Sequence, residues 1–331
     1  MKRICIIGSG AAALVLLYNL EKHNVNPKSI TIVDPTHNGG DLRKKWPSVR
    51  SNTTWRQIFE AMPSRNSFAQ PWGSLPAEEP VELKYVIQYL QACTKEYLSQ
   101  TLLRTDKVTK ATQDGGQWLL TLENSKQPLT CDVLFFCQGS DTKSLDLPFP
   151  SIPLDIALDR TRLSDFVKQD DHILVFGTAH SSTLIVRNLL ELNRNVKITN
   201  FYATEKPFYF DANGEYDGLK QEAADIANNI LTGVYPNVSL ESVHDMSAII
   251  RASKNADACV YACGFKPRTI NEEWKQYDGN TGRIQNTSNA WGFGIAYPNR
   301  APDGVHWDVS IPAFQAHIQK QMPEILGTLQ G

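Results

Sequence analysis

The sequence has little of what several classes of protein depend on. Six cysteines in 331 residues are too few for a secreted scaffold held by disulfide bonds, and none has the paired spacing of a zinc site. The formal net charge of -2 gives no positive excess that would favour a nucleic acid or an anionic membrane surface. After Tyr18 no apolar run approaches the length of a membrane-spanning helix. We therefore expect a cytoplasmic globular protein with reduced thiols and without nucleic acid, membrane span or metal.

The first 23 residues, MKRICIIGSGAAALVLLYNLEKH, have two interpretations. Two basic residues, an apolar run and three alanines are typical of a secretory signal peptide. The alternative is a strand over residues 3–7, a sharp glycine turn and a helix from residue 11 to 21. The next β-rich run, SITIVD (29–34), ends in an acid, so the whole segment has the order of a βαβ unit. Removal of a signal peptide would destroy this unit, and we therefore expect the segment to remain in the folded protein.

The turn of this unit carries a dinucleotide fingerprint in its alanine-ending form, Gly8-x-Gly10-x-x-Ala13. The first glycine permits a tight turn, the second lets the backbone approach a pyrophosphate, and the alanine lets the helix pack on the strand. The helix N-terminus offers free N–H groups to the phosphates. The acid at the end of the second strand can accept a hydrogen bond from a ribose hydroxyl. The residues predicted to bind the nucleotide here are Gly8, Ser9, Gly10, Ala12, Ala13 and Asp34.

A second βαβ pattern occupies residues 172–202, with strands over 172–176 and 196–202 and a helix over 183–192. Its turn, 177–182, departs from the fingerprint because Ala179 and Ser182 stand where glycines are usual. An α/β repeat without a ligand therefore remains an alternative. The second strand ends without the acid that favours NAD or an arginine for a 2′-phosphate, so the sequence does not choose a coenzyme. The predicted phosphate-binding residues are Gly177, Thr178, Ser181 and Ser182.

Two further buried strands, within 131–140 and 257–268, each end in a glycine turn, at Gly139 and Gly264. Such turns bring backbone close to a ligand at the carboxyl edge of a parallel sheet. We predict an α/β fold of two Rossmann-like, doubly wound domains. Residues 1–150 and 266–331 form the first, discontinuous domain, and residues 151–265 form the second.

The stretch GGDLRKKWPSVRSNTTW (39–55) resembles the flavin-containing monooxygenases and their flavoprotein relatives with two dinucleotide-binding domains. That family has a Gly-Gly loop after its second strand and then a Tyr-x-Ser-Val-x-x-Asn-Thr segment against the flavin. Here Gly39-Gly40 and PSVRSNT (47–53) follow the same order. The resemblance covers residues 1–140 well and 170–270 loosely.

The resemblance implies FAD in the first domain and NAD(P)H in the second. It places Gly40, Asp41 and Trp46 along the FAD, the backbone of Val108 at the adenine and Gly139 near the cofactor. It also places Asn52, with Thr53 beside it, at the reactive edge of the isoalloxazine ring, where an amide can donate and accept hydrogen bonds without adding charge. Asn52 is then the candidate catalytic residue. The alternative for Asn52 is a cap for the helix predicted in WRQIFEAM (55–62).

The expected activity is hydride transfer from NAD(P)H to FAD, followed by electron transfer to oxygen, with oxygenation of a small nitrogen-, sulfur- or carbonyl-containing substrate as one outcome. Two alternatives remain open: reduction of quinone-like acceptors, and a flavin-binding sensor without turnover. The family's histidine-containing segment before the second fingerprint is missing, which leaves oxygenation open to question. Disulfide reduction is disfavoured because neither the 39–50 loop nor the second domain holds a close pair of cysteines.

Overall fold

The computed structural model describes residues 2–43, 45–63, 74–145, 147, 149–192, 194–210, 213–219, 221–301 and 307–331. The chain forms two compact units. Unit 1 combines Met1–Asp141 with Lys266–Gly331, and unit 2 is Thr142–Phe265. Among the described residues, no helix is both long and apolar enough to cross a membrane.

The described helices are α1 (Ala11–Lys22), α2 (Trp55–Ala61), α3 (Leu83–Leu98), α4 (Leu154–Ala157), α5 (Arg160–Leu163), α6 (His180–Glu191), α7 (Glu222–Leu231), α8 (Met246–Ser253) and α9 (Ile311–Gln330). The described strands are β1 (Ile4–Ile7), β2 (Ile30–Val33), β3 (Arg50–Thr54), β4 (Pro80–Glu82), β5 (Leu102–Arg104), β6 (Val108–Asp114), β7 (Gln117–Leu122), β8 (Leu129–Cys131), β9 (Val133–Phe136), β10 (Ser140–Thr142), β11 (His172–Phe176), β12 (Lys197–Tyr202), β13 (Val238–Ser242), β14 (Ala258–Tyr261), β15 (Phe265–Pro267), β16 (Ala290–Gly292), β17 (Asn299–Arg300) and β18 (Trp307–Asp308).

Unit 1 is built on a five-stranded parallel sheet in the order β5-β2-β1-β9-β16. Because side chains alternate along β1, Ile4 and Ile6 pack on α1, α3 and α9, whereas Cys5 and Ile7 pack on the antiparallel sheet β6-β7-β8. Both faces are thus covered, which explains why the central strands are apolar throughout. The strand order reverses between β1 and β9, and ligands of open α/β sheets bind at the carboxyl ends of the strands at such a point.

Unit 2 contains a four-stranded parallel sheet in the order β13-β12-β11-β14, the same order as the first four strands of unit 1. One face is held by an aromatic stack in which the ring of Phe176 lies 4.9 Å from that of Phe201 and 5.4 Å from that of Tyr261. The order reverses between β11 and β14. The predicted α/β fold with two Rossmann-like units is confirmed.

The chain passes between the units twice, through β10 and β15. On the unit 1 side, Arg268 N donates to the Gly139 carbonyl oxygen at 3.1 Å, and on the unit 2 side Lys143 N donates to the Gly264 carbonyl oxygen at 2.9 Å. The predicted elements around both turns lie within a residue or two of the observed ones, except that α6 begins at His180, three residues earlier than expected. Ser181 and Ser182 therefore belong to the first turn of the helix rather than to the turn before it.

Candidate functional site

The turn that follows β1 requires glycine at its first position. Gly8 has a φ of +100°, and a Cβ added there would lie 2.3 Å from the carbonyl oxygen of Cys137, at the end of β9. No L-residue fits such a position without moving the backbone of one of the two strands. Gly8 thus lets the backbones at the carboxyl ends of β1 and β9 approach each other at the point where the sheet order reverses.

Gly10 is different, because nothing in its own backbone requires glycine. It is the N-cap of α1 with a φ of −76°, and an added Cβ would meet Gly40 Cα at 3.9 Å and Gly39 O at 4.0 Å, which are ordinary contacts. Gly40 has a φ of +83°, and its own added Cβ would lie 3.0 Å from Gly10 Cα. The loop after β2 therefore lies against the glycine turn, and the two backbones form a cradle that side chains would fill.

Asp34, the acid after β2, joins the two segments that form this cradle. Its carboxylate accepts hydrogen bonds from the backbone N of Ser9 at 3.0 Å, Thr36 at 2.8 Å and His37 at 2.8 Å. Burial favours the neutral carboxyl, but the hydrogen bonds from Thr36, His37 and Ser9 outweigh it and lower the pKa of Asp34. Asp34 is therefore ionised at neutral pH, and a ribose hydroxyl would share its oxygens with these donors.

Gln138 supplies an unused acceptor beside the same turn. Its Nε2 donates to the backbone oxygen of Arg268 at 2.9 Å and to the hydroxyl of Tyr297 at 3.1 Å. Its Oε1 is buried and has no hydrogen-bond partner. A buried amide oxygen without a donor is costly, and a donor from a bound ligand would remove the cost. This orphaned atom and the cradle at Gly10 both fit a nucleotide bound at the N-terminus of α1.

Trp46, Val108 and the pair Asn52–Thr53, which are also predicted to contact FAD, occupy three separate places in unit 1. Trp46, in the loop after β2, has a φ of +62°, which is rare for a bulky side chain and is typical of functional loops. Val108 begins β6 with its side chain buried, so only its backbone is available to a ligand. Asn52 is exposed in β3, with Thr53 next to it. No contact described in the structure brings Asn52 or Val108 to the Gly8–Gly10 turn.

The alternative interpretation of Asn52 as a helix cap is wrong. The N-cap of α2 is Thr54, whose side chain accepts from Gln57 N while the Gln57 side chain accepts from Thr54 N. This reciprocal capping box satisfies the helix start without Asn52. The side chain of Asn52 is therefore left free of a structural role at this helix.

The turn after β11 in unit 2 has nearly the same backbone geometry as the turn after β1 in unit 1. Gly177 has a φ of +112°, and an added Cβ would lie 2.4 Å from the carbonyl oxygen of Ala262, at the end of β14. The N-cap of α6 is Ala179 with φ −90° and ψ −171°, against −76° and −173° for Gly10. The departure from the glycine fingerprint thus leaves the backbone of the turn unchanged.

Of the predicted residues Thr178, Ser181 and Ser182, Ser182 makes a hydrogen bond to this second turn. Ser182 is fully buried, and its Oγ donates to the Ala179 carbonyl oxygen at 2.7 Å. Thr178 is buried, whereas Ser181 is half-buried in the first turn of α6. Asn200, in β12, stabilises the turn, since its Nδ2 donates a hydrogen bond to the Gly177 carbonyl oxygen at 2.6 Å.

Strand register identifies the residue of unit 2 that corresponds to Asp34. Ile7 pairs with Val33 in unit 1, and Phe176 pairs with Phe201 in unit 2. In both units the glycine that follows donates its N–H to the carbonyl oxygen of the paired residue, at 2.9 Å and 2.8 Å. The residue after each pair is Asp34 in unit 1 and Tyr202 in unit 2. A tyrosine therefore stands at the position from which an acid would select the ribose of NAD.

The cysteines whose pKa is shifted are not activated thiols. All six are free, and five of them are buried. Burial raises the pKa of Cys93 to about 12 and raises the pKa of Cys137, Cys259 and Cys263 above the ordinary value. A redox-active thiol needs the opposite shift.

Sequence reasoning missed Gln138, Asn200 and Arg268. Gln138 directly follows a predicted buried strand and precedes the predicted Gly139, so its position was a usable signal. The roles of Asn200 and Arg268 depend on strand pairing and on contacts across the fold, which have no local signature. In the described part of the chain, no group of three or more His, Cys, Asp or Glu residues could hold a metal ion.

Residues 5–141 match the family model described as FAD-NAD(P)-binding. No curated protein matches the chain. The flavin-containing monooxygenase from Stenotrophomonas maltophilia is similar in structure, with a TM-score of 0.67 and 12% identity over 99% of both chains.

Two other solved structures are similar to the same extent. DfoA from Erwinia amylovora, described as a cadaverine monooxygenase bound to FAD, gives a TM-score of 0.67 and 13% identity, covering 99% of this chain and 95% of that one. The bacillithiol disulfide reductase from Bacillus cereus gives 0.65 and 13% identity, covering 100% of this chain and 99% of that one. At these identities the likeness establishes the fold. The predicted fold of two dinucleotide-binding domains is thereby confirmed, and the family model supports an FAD-NAD(P)-binding segment over residues 5–141.

Proposed function

We propose that this chain is an FAD-dependent NAD(P)H oxidoreductase that passes electrons from NAD(P)H, through FAD, to molecular oxygen. One observation carries the proposal: the same glycine turn, at the same reversal of strand order, is built once in each unit. A single nucleotide would need only one such turn. Two of them suit a flavin and a nicotinamide coenzyme, the pair between which hydride transfer is the ordinary chemistry.

The residues of unit 1 fit FAD. The cradle of Gly8, Gly10 and Gly40 would hold the pyrophosphate against the N-terminus of α1, and Asp34 would accept from the ribose. Gln138 Oε1 would gain a donor from the cofactor. When bound, FAD would supply the redox chemistry that no side chain of this protein can perform, since it accepts a hydride and can deliver electrons to oxygen.

The residues of unit 2 fit a nicotinamide dinucleotide. Gly177 and the N-terminus of α6 would face the pyrophosphate, with Ser181 in the first helical turn. The unchanged backbone of the turn supports this interpretation over a repeat without a ligand. Tyr202 offers no negative charge that would repel a 2′-phosphate, so we propose that NADPH is accepted as well as NADH.

The thiols with raised pKa values disfavour a disulfide as the acceptor, and we therefore propose oxygen, with a quinone-like acceptor as the alternative that the experiment below distinguishes. Every cysteine whose pKa is shifted by burial is less reactive than an ordinary thiol. Asn52 would act at the flavin edge, where its uncharged amide can hold a small nitrogen-, sulfur- or carbonyl-containing substrate. We place the reaction in the cytoplasm, where six free thiols stay reduced.

A stepwise experiment on the purified chain tests the proposal. The protein is first titrated with FAD, and we expect uptake of about one equivalent with a change in the flavin spectrum. NADH or NADPH is then added without oxygen, and we expect the flavin absorbance to bleach. Persistent colour would support a sensor, and absence of FAD uptake would refute the whole proposal.

Admission of oxygen completes the test. Return of the flavin colour with consumption of oxygen is the expected result. Hydrogen peroxide that accounts for all of the coenzyme oxidised would identify an oxidase, whereas a deficit matched by an oxygenated substrate would identify a monooxygenase. Bleached flavin that stays reduced in oxygen but recovers with a quinone would contradict oxygen as the acceptor.

A further inference from the structure

Arg268 is the third residue of unit 1 after the chain returns from unit 2, and its backbone is bound to the turn after β9. Its N donates to the Gly139 carbonyl oxygen at 3.1 Å, and its own carbonyl oxygen accepts from Gln138 Nε2 at 2.9 Å. Gly139 has a φ of +74°, and a Cβ added there would lie 3.9 Å from Arg268 Nη1. The guanidinium therefore lies over the turn that carries the orphaned Gln138 oxygen.

The side chain of Arg268 connects this turn to the loop after β2. Its Nε and Nη2 donate to Asp141 Oδ1 at 2.9 Å and 2.8 Å, and Nη2 also donates to Asp41 Oδ2. Asp41 directly follows Gly40, whose backbone lies against Gly10. One guanidinium thus links the loop on the glycine turn to the segment that follows β9.

We propose that Arg268 is a positioning residue for FAD, which holds the Gly39–Asp41 loop against the glycine turn through Asp41 and thereby sets the affinity for the cofactor. The inference rests on the proposed function only in taking FAD as the ligand. Among the described residues, Asp41 has one other cation within 4.0 Å, Lys45, which belongs to the same loop. Arg268 is therefore the described cation that ties Asp41 to a distant part of the chain. Without Arg268, binding of FAD would also have to order the Gly39–Asp41 loop against the glycine turn, and this would lower the affinity for FAD.

The chemistry of the two carboxylates explains why arginine suits this place. A planar guanidinium has five donors in a fixed fork, so it can serve Asp141 through two N–H groups and Asp41 through a third. A lysine ammonium at the same place is a point charge and would favour one carboxylate at the expense of the other. Because the side chains are only partly buried, with 37% of Arg268 exposed, we expect a moderate effect on affinity rather than loss of the fold.

The experiment measures FAD affinity in four single variants by titration of flavin fluorescence, with thermal unfolding of each FAD-free protein as the check on folding. Arg268→Ala should weaken FAD binding by about two- to fivefold, as expected for the loss of a partly exposed charged link. Arg268→Lys should recover part of the loss. Asp41→Asn should weaken binding to a similar degree, since it releases the same loop.

Arg283→Ala is the matched control. Arg283 lies in the same C-terminal segment, its side chain is 33% exposed, and it pairs with Glu324 at 2.6 Å. It also lies over the ring of Trp291 at 5.2 Å, so its removal costs a comparable set of contacts. FAD affinity should be unchanged in this variant even if the unfolding temperature falls.

The double variant Arg268→Ala/Asp41→Asn decides whether the two residues act as one unit. If the link holds the loop, the double variant should lose no more affinity than either single variant. Losses that add, or an Asp41→Asn variant that binds FAD more tightly, would overturn the inference because the arginine would then act through its own charge. Failure of the wild-type protein to bind FAD would refute the proposed function instead, so the two failures are distinguishable.

Discussion

Substitution of Gly10 by alanine should affect the stability of the FAD-free protein and its affinity for FAD to very different degrees. The backbone at Gly10 has a φ of −76°, which alanine adopts without strain, and the added Cβ meets its nearest neighbours at 3.9 Å and 4.0 Å. An alanine N-cap is weaker than a glycine one by about 1 kcal/mol or less. We therefore expect the FAD-free variant to unfold within about 2–4 °C of the wild type.

The effect on FAD should be much larger than the effect on folding. The second glycine of the fingerprint lets the backbone approach the pyrophosphate, and a methyl group placed there fills that space. Insertion of a methyl group into a packed site costs about 1–3 kcal/mol. The dissociation constant for FAD should rise by a factor of about 5 to 150.

Alanine substitutions of two other glycines in unit 1 serve as controls for Gly10→Ala, one for the stability of the fold and one for the affinity for FAD. Gly8→Ala puts a Cβ 2.3 Å from a carbonyl oxygen at a φ of +100°, so it should destabilise the FAD-free protein by several kcal/mol. Gly115→Ala, in the β6–β7 turn, has a φ of +54° and nothing within 4 Å of the added Cβ, so a small loss of stability and normal FAD affinity are expected.

The assay pairs thermal unfolding without FAD with fluorescence titration of FAD. Wild-type affinity in Gly10→Ala would refute the assignment of the pyrophosphate to this cradle. Unfolding of Gly10→Ala as severe as that of Gly8→Ala would refute the geometric argument, because the two glycines would then serve the fold in the same way.

Three further predictions concern other parts of the chain. Ala179→Gly removes a methyl group at the corresponding place in unit 2 and should lower the KM for NAD(P)H by up to about tenfold, measured in steady-state oxidation of the coenzyme. Tyr202→Asp puts an acid at the position equivalent to Asp34, so kcat/KM for NADPH should fall relative to NADH, whereas Tyr202→Phe should leave the ratio unchanged. Burial, with a smaller effect of Lys320, lowers the pKa of His317 to about 4. The unfolded state therefore binds a proton at a higher pH than the folded state does. The free energy of unfolding should fall by about 3 kcal/mol as the pH falls from about 6.5 to about 4. His317→Asn should flatten that part of the pH profile in denaturant unfolding.

The sequence was sufficient to locate both turns because the signals there are local. An apolar run, a glycine, small residues and a second apolar run specify strand, turn, helix and strand within about 30 residues. The cap of α2 is also readable from the sequence, since Thr54 and Gln57 have the spacing of a capping box, whereas Asn52 lacks a Glu or Gln three residues later. Local sequence patterns therefore predict both turns correctly, and they also contain the signal that identifies Thr54 rather than Asn52 as the cap of α2.

What the sequence could not provide depends on residues far apart in the chain. Arg268 and Asp41 are separated by 227 positions and meet only because the chain returns to unit 1 after unit 2. The equivalence of Tyr202 and Asp34 likewise needs the pairing of β12 with β11, because a shift of one residue would have assigned a neighbour instead. Neither fact has a signature in composition or spacing.

The comparison of Gly10 with Ala179 changes how the second fingerprint should be interpreted. Both residues cap a helix with nearly the same backbone angles, so the turn itself tolerates either. In unit 1 the loop at Gly40 lies against the cap, whereas the cap in unit 2 is exposed. The need for glycine at this position thus comes from what lies above the turn, a loop or a ligand, and not from the turn. An alanine there predicts a pyrophosphate held farther from the backbone and bound less tightly, which suits a coenzyme that must leave after each turnover better than a cofactor that stays.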